Sequence, residues 1–319
     1  MRRRQVLALG LGLAVSGLAS AAGCGAGRAP GRGVRGRFAI VPGGERWTRV
    51  AQALGTAAWD AGFAVSREGE ATRITVTGLP ALAAAALNDG PTLLDTATPL
   101  ARLAGEIEVV VVPAASKFRD FDDFGAHLLA RPGETMLAGG PRGEPDHLLF
   151  GLVARGLGAD TRQVVYTGYP SSEDVAEALL GGKAAAAAGT LADWRHDIRT
   201  GRFKALAVSC AHRVDGIDAP SLLESGVRVD FAAWCAAVGP HGMSGDTRDA
   251  ALEMCEVVSR SAPWREVCRR RGWSALPLFG DDFALWLGTE IGRTRGVLRD
   301  LGLVNTTGTT CSGSCANGH

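Results

Sequence analysis

Catalytic signatures are missing from this 319-residue chain. It has no Gly-x-Ser-x-Gly elbow, no His-Glu-x-x-His pair, no Walker loop and no Rossmann glycine turn, and its histidines are scattered. Gly181-Gly182-Lys183 lacks the upstream glycine that a phosphate loop requires. An enzyme therefore ranks behind a binding protein, and nothing calls for a cofactor or a metal. Charge is also scarce, at 21% of residues, and lysine is rare. No Lys/Arg cluster of the size that grips a phosphate backbone follows the first few residues, so nucleic acid is not an expected partner. What is abundant is apolar surface: 46% of residues, enough to bury the core of one large or two medium domains.

The N-terminus carries the strongest local signal. Arg2-Arg3-Arg4 precedes the apolar run Val6 to Leu18, and the small residues Ala19 to Gly23 lead to Cys24. This is the pattern of a signal peptide, residues 1–24. Its apolar run, about 13 residues, falls short of the roughly 20 that span a bilayer. Arg3-Arg4-Gln5-Val6-Leu7 approximates a twin-arginine signal. Ala21-Ala22-Gly23-Cys24 reads as a lipobox, making Cys24 the lipidation residue; ordinary cleavage nearby is the alternative. Residues 25–36, rich in Gly, Arg and Pro, read as a tether. The remaining cysteines, Cys210, Cys235, Cys255, Cys268, Cys311 and Cys315, form an even set in an exported chain, so disulfides are expected. Proximity in sequence suggests Cys210 with Cys235, Cys255 with Cys268, and Cys311 with Cys315.

From Phe38 to Leu303 short apolar runs alternate with helical periodicity, the mark of an α/β fold with a largely parallel sheet. Expected strands are Phe38 to Val41, Ile74 to Thr77, Glu108 to Val112, Thr135 to Ala138, Val164 to Thr167, Ala184 to Ala188, Ala205 to Ser209 and Phe231 to Val238. The runs Val109 to Pro113 and Ala232 to Pro240 read as crossings between lobes. Residues 37–113 and 237–303 would then form a discontinuous first lobe and 114–236 the second. Residues 304–319 form a tail, disordered or tied by its cysteines. Small-molecule sites favour the cleft that such an arrangement creates.

Four strand-to-loop junctions are candidates for that cleft. Pro42-Gly43-Gly44 and Gly139-Gly140 through Arg142, Gly143 and His147 each empty a strand into glycines ahead of a helix, where free N–H groups attract an anion. Arg142 would add an ion pair or stay solvated, and His147 would touch ligand or support its loop. Ser171 with Asp174 reads as a capping box, leaving Ser172 to face the cleft. Gly189 and Thr190 form the fourth junction, Thr190 supplying a hydroxyl.

Several segments resemble the substrate receptors of tripartite tricarboxylate transporters, the TctC or Bug family. They are Ala97-Thr98-Pro99-Leu100-Ala101-Arg102-Leu103 with Glu106 to Pro113, Gly139-Gly140 with Asp146-His147-Leu148, Val164-Val165-Tyr166, Leu179 to Gly182, and Ala205 to Ser209. Ala219-Pro220-Ser221-Leu222, Trp234, Gly239-Pro240, Trp264, Gly272-Trp273 and Leu301 to Val304 complete the series. The resemblance implies a type II periplasmic-binding-protein fold, two α/β lobes closing on a small di- or tricarboxylate, with integral membrane permease subunits as partners, while the lipobox at Cys24 would hold the exported protein at the membrane. It also implies that the two glycine loops hold the carboxylate. The first lobe departs from the family pattern: Glu70-Ala71-Thr72-Arg73 stands where relatives carry a second glycine-rich loop, and about 20 residues are missing near Pro91 to Thr96. A lipoprotein that keeps the fold for sensing or docking is the alternative.

Overall fold

A computed structural model describes residues 36–66 and 71–304. The leader, the tether to 35, Cys24, Glu70, Cys311, Cys315 and the tail from 305 lie outside the described residues.

In chain order the strands are β1 (Arg37–Pro42), β2 (Ala64–Val65), β3 (Thr72–Gly78), β4 (Ala97–Glu106), β5 (Glu108–Pro113) and β6 (Met136–Gly139). Then follow β7 (Val165–Gly168), β8 (Ala186–Thr190), β9 (Phe203–Val208), β10 (Ala233–Pro240) and β11 (Trp273–Phe279). The helices are α1 (Thr48–Asp60), α2 (Leu79–Leu87), α3 (Leu93–Thr96), α4 (Phe121–Ala130) and α5 (Pro145–Leu157). They continue with α6 (Ser172–Leu180), α7 (Leu191–Arg199), α8 (Gly245–Arg260), α9 (Ala262–Arg271) and α10 (Gly280–Asp300).

Two sheets form, one per lobe, in the orders β11-β4-β10-β3-β1-β2 and β7-β6-β8-β5-β9. Every expected strand appears with slightly shifted ends. The sheets are mixed rather than largely parallel. β10 runs antiparallel to β3 and β4, and β5 antiparallel to β8 and β9, because each strand enters from the other lobe. The all-buried run Val109 to Val112 makes β5 an interior strand of the second sheet, not part of the first lobe. The chain therefore changes sheets at Ile107, and β10, starting at Ala233, belongs wholly to the first sheet. α10 is not confined to the first lobe either: it packs on β4 and α2 and also on α5. One apolar core accordingly joins Leu79 and Phe283 to Val110, Phe150 and Leu301.

Ser209 fastens the junction. Its buried hydroxyl accepts the Glu108 amide at 2.9 Å and donates to the Phe231 carbonyl at 2.7 Å, tying the outgoing strand to the returning chain.

Local chemistry places the loops that face the junction. Pro145 opens α5, and Gly158, at φ 81°, closes it. Ser171 caps α6 by accepting the Asp174 amide, and Thr190 caps α7 by accepting that of Asp193.

None of the expected disulfides is present among the described residues: Cys210, Cys235, Cys255 and Cys268 are free thiols. Cys210 follows β9 in the second lobe, whereas Cys235 lies within β10 of the first sheet. Cys235, Cys255 and Cys268 act as small apolar residues in the first-lobe core.

Candidate functional site

Arg46, in the turn between β1 and α1, reaches across the junction. One guanidinium nitrogen lies 2.9 Å from Glu144 of the second lobe, and the other lies 3.6 Å from Glu106 at the end of β4. Behind this bridge Glu108 is fully buried, and neither carboxyl oxygen has a hydrogen-bond partner among the described residues. Burial, aggravated by the charge of Asp146, raises its affinity for a proton well above the carboxylate norm. Glu106 and Asp146 are raised in the same direction by burial, Arg46 partly offsetting both. One guanidinium thus serves four acidic groups, and burial tilts Glu108 furthest toward its protonated form.

The second glycine loop is occupied by its own chain. The Gly140 amide donates to Asp146 Oδ2 at 2.6 Å, and the Gly140 carbonyl accepts from the Tyr166 hydroxyl at 2.7 Å. Gly143, at φ 86°, donates its amide to His147 Nδ1 at 3.1 Å. A side chain there would strike Leu87 of α2. His147 is buried and stacked on Tyr166, with ring centroids 4.1 Å apart. Burial and the charge of Arg142 push its pKa down to about 4, so the imidazole is neutral and accepts. Arg142 is exposed, and Ser172 is half-buried at the start of α6. In the first lobe Gly43 gives its amide to the Val76 carbonyl at 2.8 Å, while Gly44 borders open space and Pro42 ends β1. Gly189 is buried tightly against Trp194.

A pocket of about 310 Å³ lies between the lobes. Arg46 and Arg49, Glu106, and Arg270, Arg271 and Trp273 line it from the first lobe; Thr190 and Asp193 line it from the second. Arg49 and Arg271 form no ion pair among the described residues, and Arg270 meets only Glu266, at 3.6 Å. Four guanidinium groups therefore face two carboxylates. Of the ligand-binding residues expected from sequence, Thr190 alone lines this pocket. The arginines were missed, although the run Arg269-Arg270-Arg271 ahead of Gly272-Trp273 is a visible signal. No three metal-ligating side chains cluster among the described residues, and no helix there is long and apolar enough to cross a membrane.

A family model for the tripartite tricarboxylate transporter family receptor, TctC, matches residues 90–262, more than half of the chain. The chain belongs to the TctC receptor family. Members of this family are solute receptors, not enzymes. A TctC solute-binding protein from Polaromonas is 18% identical with a TM-score of 0.67, covering 83% of this chain and 97% of that one. MatC from Rhodopseudomonas palustris with bound malate is 20% identical with a TM-score of 0.57, covering 83% and 99%. An adipate-bound R. palustris protein is 18% identical at a TM-score of 0.60, covering 84% and 97%. These likenesses establish the two-lobed binding-protein fold. No curated protein matches the chain in sequence. Within the TctC fold, the segment Ala97 to Glu106 that carried much of the resemblance is β4, which delivers Glu106 to the pocket.

Proposed function

We propose that this TctC-family chain is an exported solute receptor that holds a small organic acid between its lobes and hands it to integral membrane permease subunits. The lining of the interlobe pocket carries the reading: Arg46, Arg49, Arg270 and Arg271 face Thr190 across about 310 Å³. Planar guanidinium forks match carboxylates bidentately, and the volume falls at the small end of ligand sites. The malate and adipate held by relatives support a dicarboxylate as the ligand class. Gly44 and Arg142 are proposed as further ligand contacts. Pro42, Gly43, Gly139, Gly140, Gly143, His147, Ser172 and Gly189 are assigned to shaping the loops around the acid. Cys24 is proposed as the lipid-bearing residue.

A thermal-melt panel of succinate, malate, adipate, citrate, tricarballylate, glutamate and nicotinate tests this. A binding acid at 100 times its Kd should add about 2.7 kcal/mol of stability. Unmoved melting across the panel would instead favour a receptor kept for sensing or docking. The internal engagement of Gly140 by Asp146 favours that second reading.

A further inference from the structure

Resting on the organic-acid reading, we propose that Glu144 is a built-in competitor for the ligand carboxylate: it occupies Arg46 from the opposite lobe and so sets the affinity of the pocket. Arg46 is a wall of the pocket and the partner of Glu144 at 2.9 Å, so a ligand and Glu144 draw on the same guanidinium. Glu144 sits at the N-cap position of α5, yet its side chain caps nothing there. The hydrogen bond its carboxylate accepts comes from Arg46. It is thus placed as a ligand carboxylate would be, entering from the second lobe to meet a first-lobe arginine.

Two features make the exchange feasible. Both partners are more than a third exposed, and ion pairs in such settings are weak and screened, so a well-placed carboxylate can displace Glu144. Glu106 meanwhile holds the other guanidinium nitrogen at 3.6 Å from within the first lobe, which keeps Arg46 aimed at the pocket when Glu144 lets go. Charge count points the same way. Glu106 and Glu144 both flank Arg46, so an entering anion meets their charge, and removing Glu144 lessens it.

Calorimetric titration of the full chain with succinate, malate, adipate and citrate tests the proposal. Glu144→Gln should lower the Kd of whichever acid binds by about two- to fivefold, the scale of an exposed ion pair. Glu144→Asp should stay near native. In an Arg46→Gln background the gain from Glu144→Gln should vanish, which a general loosening of the loop would not do. Binding to Glu144→Gln alone would also support competition. An unchanged or weaker Kd in Glu144→Gln, with the native chain binding normally, overturns the competitor role and means that the bridge preorganises the closed lobes. If no acid binds either form, the organic-acid reading and this inference fall together.

Discussion

The Asp146 carboxylate accepts the Gly140 amide at 2.6 Å, so that donor is satisfied from within the chain. Asp146→Ala should orphan that amide and cost about 1–3 kcal/mol in urea unfolding. A melt identical to native would mean that the contact contributes nothing to the loop.

Glu108 links stability to pH. Its folded affinity for protons exceeds the ordinary value of 4.5, so the folded state binds the proton longer than the unfolded chain does. The associated stability is present at low pH and drains as pH climbs from 4.5 through the raised folded value. Glu108→Gln should remove that decline, gaining on the native chain as pH rises above 4.5. Parallel denaturation curves for the two at every pH would contradict the assignment.

For His147 the sign reverses. Its folded pKa is depressed from 6.5 to about 4, so the neutral ring contributes stability above 6.5 that is lost as pH falls toward 4. An NMR titration of the imidazole resonances should show a midpoint near 4; one near 6.5 would sink the account of a neutral acceptor for Gly143.

The thiols offer a chemical check. Burial pushes Cys235 and Cys255 up to about 12 and Cys268 up to about 11. Alkylation followed by peptide mapping should label half-buried Cys210 first and the other three only after denaturation. Recovery of any of these four in a disulfide would show that the oxidised chain differs from this fold.

Much of the architecture could be read from apolar runs and glycine punctuation, since β5 and β10 are continuous buried strands and α5 is bounded by Pro145 and Gly158. Three strands escaped notice: β2 is only two residues long, and the other two were hidden for a physical reason. Pro99 in β4 and Pro277 in β11 break the expected pattern, yet both lie at or beside register shifts, where a strand tolerates proline. Arg102 donates from Nε to the Leu276 carbonyl at 2.9 Å, steadying the second of these irregularities. At the site, the glycine loops were visible but their internal partners were not. Asp146 meets Gly140 only once α5 forms, and Arg46 and Glu144, 98 residues apart, meet only across the lobes.

The most direct measurement is a crystal structure of the chain soaked with the acid that most raises its melting temperature. A carboxylate should appear between the lobes, within hydrogen-bond distance of Arg46 or Arg271 and near Thr190. Density for the acid against the outer surface, or an empty pocket at saturating acid, would contradict it.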